Sequence, residues 1–155
     1  MTLPPVVARW HPHLVVQTIR CASDRLGIVP ARERGSLEWD TYGDSFGFRL
    51  VTIRRARGLS QEQVALLCGM HRNQISNLER NTSNRAPFIA DPTLSTVYRL
   101  AHALAVPPAY LLPDLNRSVA RRSPEQATRA AESEVEAELT RLLADRTFDA
   151  RAFER

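Results

Sequence analysis

The sequence contains no lysine, few cysteines and no long apolar run. All 21 of its basic residues are arginines, a bias that by itself excludes no function. Two cysteines, Cys21 and Cys68, are too few for a disulfide framework or a four-ligand zinc site, so both are expected to be free thiols. No apolar stretch approaches the roughly 20 residues of a bilayer span, and residues 1–9 lack a signal-peptide pattern. We therefore expect a cytoplasmic protein without a membrane segment.

The positive charge is concentrated in the middle of the chain. The 155 residues, 43% of them hydrophobic, suit one domain of ordinary size with flanking arms. Residues 1–43 carry five basic and four acidic side chains, residues 44–114 carry eight and five, and residues 115–155 carry eight of each. The total of +4 thus comes mainly from the middle region, which is weakly indicative of a polyanionic partner.

Residues 1–43 are predicted to form an N-terminal arm with one short helix. Apolar side chains recur at helical spacing between Pro12 and Gly27. The most apolar positions on this face include Leu14, Ile19 and Leu26. Residues 28–43 mix charges with proline, glycine and serine without a period, which is typical of a linker.

Residues 115–155 are predicted to form a C-terminal amphipathic helical arm. The sequence Ser123-Pro124-Glu125-Gln126 has the pattern of a helix start, with a capping residue, a proline at the first position and a capping-box glutamine. A narrow apolar stripe follows on an otherwise charged helix: Val135, Leu139, Leu142 and Leu143. A helix with so little to bury by itself should dock on another surface.

Five helices are predicted in residues 44–114. The first begins near Asp44 or Ser45 and ends before Gly58, the second runs from Ser60 to Cys68, and the third runs from His71 to Arg80 or Asn81. The fourth runs from Leu94 to near Leu104, and a short fifth begins at Pro107 and ends at Pro113. Ser60 and Gln63 complete a capping box, which supports the start of the second helix. Between the second and third helices, Ala65 permits a close crossing and Gly69 a left-handed turn. Met70, Ile75 and Leu78 are expected to close the core beneath this turn.

Several spaced motifs within residues 46–112 carry a family resemblance. They are Phe46-Gly47-Phe48-Arg49-Leu50-Val51-Thr52-Ile53-Arg54, Gly58-Leu59-Ser60-Gln61-Glu62-Gln63-Val64-Ala65, Gly69-Met70, Ile75-Ser76-Asn77-Leu78-Glu79-Arg80 and the pattern from Leu94 to Leu112. Together they resemble the helix-turn-helix domain of the Cro/C1 repressor family, also called the XRE family. The resemblance implies an all-α, five-helix, lambda repressor-like domain whose third helix, residues 71–80, enters the DNA major groove.

The resemblance also implies roles for individual residues. The positions that commonly touch bases in this family are occupied by Arg72, Asn73, Gln74 and Asn77. Arginine suits guanine and asparagine suits adenine in the major groove. The expected phosphate contacts are Gln61, at the start of the second helix, and Asn81, Thr82, Ser83 and Arg85, after the third. Arg54 and Glu79 correspond to an internal ion pair that ties the first helix to the end of the third.

One segment departs from the family pattern. Residues 81–93, between the third and fourth helices, are many more than this family usually has there, and Asn81 replaces a common glycine. The loop contains Phe88 and Ile89, and two interpretations remain open: a wider phosphate contact or a surface for a partner.

Other chemistries find little support in the sequence. His11 and His13 lack the accompanying ligands of a metal site, and Cys68 falls where a small core residue is needed, so no metal and no cofactor are expected. No phosphate loop, nucleophile elbow or HExxH motif is present, which argues against an enzyme. The alternating glutamates at 132–138 point in different directions on a helix and indicate a solvated face.

The sequence therefore predicts a sequence-specific double-stranded DNA-binding transcriptional regulator, acting chiefly as a repressor. One module supplies base discrimination at the low end of what a specific regulator needs in a genome, so a homodimer on an inverted repeat is expected. Its contact is predicted at one or both of the flanking stripes, Leu14 to Leu26 and Val135 to Leu143. The alternative is a protein-interaction module, such as an antitoxin or anti-activator, that binds a protein partner through its arms and the 81–93 loop.

Overall fold

The computed structural model describes residues 33–34, 36–85, 88–144, 146 and 148. A small antiparallel hairpin, β1 (Glu33–Arg34) and β2 (Leu37–Glu38), leads into the helices of this described part. They are α1 (Trp39–Ala56), α2 (Gln61–Cys68), α3 (Arg72–Glu79), α4 (Leu94–Ala103) and α5 (Arg129–Ala144), with 3₁₀ helices at Pro108–Tyr110 and Pro124–Gln126. The all-α prediction is confirmed. The predicted N-terminal helix, with Leu14, Ile19 and Leu26, lies outside the described residues.

The first helix is longer than predicted. It begins at Trp39, five residues before Asp44. The last residues of the predicted linker, 39–43, are therefore helical, and the domain boundary predicted at residue 43 is wrong. The missed turn has no side-chain N-cap, and its stability comes from packing instead. Trp39 donates from Nε1 to the carbonyl of Ala90 at 3.1 Å, and the buried Tyr42 donates from its hydroxyl to the carbonyl of Ala120 at 2.7 Å. Contacts of this kind are tertiary and leave no local sequence signal.

The two helices of the helix-turn-helix are defined by local capping. Ser60 accepts a hydrogen bond from the backbone N–H of Gln63 at 3.1 Å, and the Gln63 side chain accepts one from the N–H of Ser60 at 2.8 Å. The predicted capping box of α2 is therefore confirmed. At α3 the N-cap is His71, so the helix starts one residue later than predicted and ends at Glu79.

A continuous hydrophobic core joins all five helices. Its fully buried members include Leu50 and Ile53 of α1, Val64 of α2, Ile75 of α3 and Leu100 of α4. The helix α5 packs on α1 and places Val135, Leu139 and Leu143 in this same core, while Leu142 is partly exposed. Each buried aliphatic side chain contributes about 1.5–3 kcal/mol.

Two expectations about residues 115–155 are corrected by this packing. The stripe Val135, Leu139 and Leu143 is covered by the chain's own α1, so these residues do not form a contact between two copies. The boundary expected at residue 114 also fails, because the residues on both sides of it share one core. The expectation that the helix must dock on another surface is confirmed, and that surface belongs to the same domain.

The start of the C-terminal helix also differs from the prediction. Residues 124–126 form a 3₁₀ turn, and α5 begins only at Arg129, where Thr128 accepts a hydrogen bond from the N–H of Ala131 at 3.1 Å. The predicted capping residue Ser123 instead contacts Ser45 of α1 at 2.8 Å between the two hydroxyls. Glu125 is turned inward. Both side chains serve a tertiary contact, and the continuous helix is interrupted as a result.

A buried ion pair fastens this segment to α1. Arg49 donates from Nε and Nη2 to the two carboxylate oxygens of Glu125, at 2.8 and 2.6 Å, and both side chains are 9% exposed. Arg49 also donates to the carbonyl of Tyr110 at 3.1 Å, and Glu125 accepts from the backbone N–H of Asp114 at 3.0 Å. Such bidentate pairs are geometrically specific, so they fix the register between the segment and the helix.

Replacing Glu125 by glutamine is expected to lower the free energy of unfolding by about 3 kcal/mol, because the buried guanidinium of Arg49 loses its charge partner. Urea unfolding of the full chain measures the change. Glu134→Gln, at an exposed position of α5, is the matched control and should shift stability by less than about 0.5 kcal/mol. Equal midpoints for both variants would contradict a structural role for the pair.

Candidate nucleic-acid interface

The turn between α2 and α3 has the tight geometry that the sequence predicts. Gly69 ends α2 in the left-handed region, with φ of 58°, and the N–H of Met70 returns to the carbonyl of Ala65 at 2.8 Å. Beneath the turn Ala65, Ile75 and Leu78 are buried. The prediction for Gly69 is confirmed, and the two helices are held at a fixed angle.

An arginine of α4 stabilises this turn from outside. Arg99 donates from Nε to the carbonyl of Cys68 at 2.9 Å, and from Nη2 to the carbonyl of Gly69 at 2.6 Å and to that of Cys68. A positive charge at this end of α2 satisfies carbonyls that a helix leaves free and complements its dipole. Sequence reasoning missed Arg99, because only the packing of α4 on α2 brings it to the turn.

A glycine lets α1 approach the end of α3. A Cβ added to Gly47 would lie 2.7 Å from the carbonyl oxygen of Glu79 and 2.9 Å from that of Leu78. Backbone atoms cannot yield as a flexible side chain does, so any larger residue would push the two helices apart. Gly47 therefore fixes how deep α3 sits against its scaffold.

The carboxylate of Glu79 collects three donors at the same end of α3. Arg54 donates from Nε to Oε1 at 2.5 Å and from Nη2 to Oε2 at 3.1 Å, and its Nη1 reaches the carbonyl of Leu59 at 2.9 Å. Gln61, expected at phosphate, donates from Nε2 to Oε2 of Glu79 at 2.7 Å. The structure thus brings Arg54 and Glu79 together and adds Gln61, so α1, α2 and α3 meet at one carboxylate.

The residues expected to read bases lie on the outer side of α3. Arg72, Asn73 and Gln74 are exposed, and Asn77, one turn further on, is partly exposed. Arg72 pairs with Glu62 of α2 at 2.9 Å, where both side chains are more than half exposed. An exposed pair of this kind contributes about 0–1 kcal/mol, so Arg72 can exchange Glu62 for another partner at low cost.

Two of these residues also take part in the cap of α3, Gln74 through its side chain and Asn73 through its backbone. The carbonyl oxygen of the Gln74 side chain accepts a hydrogen bond from the N–H of His71 at 2.9 Å, and His71 Nδ1 accepts one from the N–H of Asn73 at 3.1 Å. Gln74 is thus partly used for capping, whereas the side chain of Asn73 is not part of the cap.

The residues expected at phosphate after α3 divide into two groups. Thr82 and Arg85 are exposed and Ser83 is partly exposed. Asn81 is instead used inside the protein: its Nδ2 donates to the carbonyl of Asp40 and to Oδ1 of Asp44, each at 2.9 Å. A phosphate role for the Asn81 side chain is therefore a wrong expectation, because its amide is already occupied.

The cysteines and histidines that were considered for thiol or metal chemistry are either buried in the core or outside the described residues. Cys68 is buried, and burial raises the pKa of its thiol to about 11, against a smaller lowering by Arg99, so the thiol stays protonated at neutral pH. Within the described ranges no cluster of three acidic, histidine or cysteine side chains is arranged to hold a metal. Over the same ranges no helix has the length and apolar character to cross a bilayer. His11, His13 and Cys21 fall outside them.

A two-helix unit with a fixed turn and an exposed polar second helix defines a helix-turn-helix protein. A sequence model of the Helix-turn-helix family matches residues 50–111. The uncharacterized HTH-type transcriptional regulator y4dJ of Sinorhizobium fredii is 38% identical over 60 residues, which are 39% of this chain and 69% of that protein. The chain belongs to the Cro/C1-type, or XRE, family of helix-turn-helix transcriptional regulators. Membership points to a DNA-binding regulator and not to an enzyme.

A solved structure also aligns with this region. It is the restriction-modification controller protein C.AhdI from Aeromonas hydrophila, which is 34% identical, covers 45% of this chain and 96% of its own, and gives a TM-score of 0.39.

Replacing Arg54 by alanine is expected to reduce stability more than it changes the choice of DNA sequence. The substitution leaves the nearly buried carboxylate of Glu79 with Gln61 alone, at a cost of about 3 kcal/mol. Thermal unfolding followed by circular dichroism measures the loss. Arg55→Ala removes the same charge from the next, exposed residue of α1 and should leave the midpoint nearly unchanged. An unshifted midpoint for the Arg54 variant would refute the role.

Proposed function

We propose that the protein represses transcription by binding, as a homodimer, to an inverted-repeat operator with α3 in the major groove. The observation that carries this proposal is the polar row on the short helix α3, in which Arg72 and Asn73 are exposed and Asn77 is partly exposed. Gly47, Arg99 and the Glu79 cluster hold the scaffold around that helix. A helix fits the major groove of B-form DNA, and a rigid mounting lets its side chains discriminate between bases.

The proposed roles follow from the chemistry of each side chain. Arg72 binds guanine through O6 and N7, and Asn73 and Asn77 bind adenine through N6 and N7. Thr82, Ser83 and Arg85 bind the neighbouring phosphates, together with the free N–H groups at the start of α2. Repression requires only that the bound protein occludes the operator, so it needs no surface beyond these. The protein would act in the compartment that holds the DNA, which we infer to be the cytoplasm.

Two copies would bind with a larger margin of specificity than one. Three base-reading side chains supply roughly 1–3 kcal/mol of discrimination each, which places one copy towards the low end of the about 4–10 kcal/mol over non-specific DNA that a specific regulator needs. A two-fold axis doubles the discrimination and places the half-sites about 10 base pairs apart.

We place the contact between the two copies on α4, because the apolar stripe of α5 is buried against α1 within one chain. Leu94 and Tyr98, one turn apart on α4, are 70% and 58% exposed, whereas Val97 and Leu100 of the same helix face the core. Large apolar side chains four residues apart form a stripe that a symmetric partner helix can cover. The N-terminal positions Leu14, Ile19 and Leu26 stay a prediction for a second contact.

Replacing Arg72 by alanine is expected to relax the preference at one guanine of each half-site by about tenfold. Selection from random duplexes by the full chain, repeated with the variant, measures the change. Arg129→Ala, at an exposed position on α5, is the control and should select the wild-type sequence. A protein that binds none of the duplexes at low salt, or a variant that selects the same site, would contradict the proposal.

Replacing Tyr98 by glutamate is expected to weaken the dimer at least tenfold, because a charge would be buried between the copies. Sedimentation equilibrium measures the dissociation constant. Ala137→Glu introduces the same charge at an exposed position of α5, away from the Leu94–Tyr98 stripe, and serves as control. A dimer of unchanged strength would place the contact elsewhere.

A protein-binding role remains the second candidate, favoured by the exposed apolar side chains of Leu66 and Phe88, which are 82% and 65% accessible. Salt dependence separates the two functions. Binding to DNA should weaken with a log–log slope of about 0.9 per neutralised phosphate, whereas an apolar contact with a protein depends little on salt.

A further inference from the structure

The loop between α3 and α4 is anchored at both ends by one side chain. Asn81, with φ of 51°, donates from its amide to Asp40 and Asp44 near the start of α1 and accepts a hydrogen bond from the N–H of Ala90 at 3.2 Å. Trp39 adds a hydrogen bond from Nε1 to the carbonyl of Ala90 at 3.1 Å. The beginning and end of the loop are therefore fixed to the same helix that supports α3.

The described part of the loop tip is closed by short-range hydrogen bonds. The N–H of Phe88 donates to the carbonyl of Arg85 at 2.7 Å, and the N–H of Ser83 donates to the carbonyl of Phe88 at 3.0 Å. The N–H of Arg85 donates to the hydroxyl of Ser83 at 3.2 Å. These bonds hold the backbone of Arg85 close to that of Phe88, and both side chains are exposed.

The start of the loop adjoins the polar row of α3. The N–H of Thr82 donates to the carbonyl of Asn77 at 2.8 Å, and the Thr82 hydroxyl lies 3.4 Å from the side-chain oxygen of Asn77. Asn77 is one of the residues proposed to read a base. Because Ser83, the residue after Thr82, donates to the carbonyl of Phe88, the backbone of Phe88 is only two hydrogen-bonded steps away from Asn77.

Phe88 occupies an unfavourable position for an aromatic residue. Its φ of 66° lies in the left-handed region, which bulky side chains rarely adopt and which costs about 1–3 kcal/mol. Its side chain is 65% exposed, whereas the following residues Ile89 and Ala90 are buried. Glycine or asparagine would fit this backbone with less strain. Folding alone therefore does not account for a phenylalanine here.

Duplex DNA is the occupant that fits both side chains. Arg85 and Thr82 are exposed and suit phosphate, and an apolar ring suits the sugar and base edges between the phosphates. Apolar side chains such as phenylalanine are used in this way at the minor groove, where they pack against or between base steps. A protein groove would take the ring equally well but would not need the arginine, the hydroxyls and the adjoining polar row.

We propose that residues 81–85 and 88–90 form a second DNA-binding element, in which Arg85 binds phosphate and Phe88 packs against the minor-groove wall of the base pairs that flank the α3 site. The inference rests on the proposed function. The unusually long loop would then extend the DNA site beyond the bases read by α3. It would also favour flanking base-pair steps that are easily unstacked, because the Phe88 ring inserts more readily where stacking is weak.

The test uses the full chain and the duplex obtained by selection, with affinity measured by fluorescence anisotropy. Phe88→Ala should weaken binding about tenfold, comparable to the loss of one base–aromatic contact. Phe88→Gly should lose the same affinity although it unfolds at the same or a higher temperature than wild type, since glycine relieves the backbone strain. Leu66→Ala removes another exposed apolar side chain and should change affinity less than twofold.

A shortened duplex locates the contact. When the flanking base pairs are removed, wild type and Phe88→Ala should bind equally, because nothing remains for the ring to touch. If both Phe88 variants bind the full duplex as wild type does while Arg72→Ala loses its guanine preference, the loop inference is overturned and the proposed function stands. A loss that persists on the shortened duplex also overturns the flanking contact. If wild type binds no duplex at all, the proposed function fails and the inference fails with it.

Discussion

The carboxylate of Glu79 is the point on which the orientation of the helix-turn-helix depends. It lies at the end of α3 and receives Arg54 from α1 and Gln61 from α2, so three helices are joined through one charged group. A poorly solvated carboxylate is stable only while its hydrogen-bond donors stay in place. The contacts of Glu79 with Arg54 and Gln61 are therefore expected to form and break together. The same helix end is approached by Gly47, where the absence of a side chain sets the helix spacing. Precise positioning of α3 and stability of the domain therefore have one physical origin.

The C-terminal segment belongs to this scaffold. The ion pair between Arg49 and Glu125 and the burial of Leu139 join it to the helix that carries Arg54 and Gly47. A segment that looks like an independent arm in the sequence thus supports the element that positions α3. This also accounts for the narrow apolar stripe of α5, since a single neighbouring helix is enough to cover it. For this reason the proposed contact with a second copy uses the exposed side of α4 and not the stripe of α5.

The interface combines rigid and exchangeable parts. The turn at Gly69 is held by backbone hydrogen bonds and by Arg99, so its geometry is set before any ligand arrives. The ion pair between Arg72 and Glu62 is exposed and weak, so the arginine can leave it for another partner at low cost. Preorganised backbone with a replaceable side-chain partner limits the entropy lost on binding. The strained backbone at Phe88 is also held in place before binding, because the hydrogen bonds of Asn81 and Trp39 fix the loop on both sides of it.

Features encoded within a few residues could be predicted from the sequence alone. The capping box of Ser60 and Gln63, the left-handed Gly69 and the apolar spacing of α4 each act over less than three turns, so the pattern contains the whole cause. The family motif extended this to Arg54 and Glu79, which the structure joins across 25 positions. The features that the sequence did not predict depend on residue pairs that are distant in the chain. Arg49 meets Glu125 across 76 positions and Asn81 meets Asp40 across 41, and no local preference of either residue selects its partner. The early start of α1, the broken start of α5 and the burial of its stripe follow from such contacts, because packing energy there outweighs local propensity.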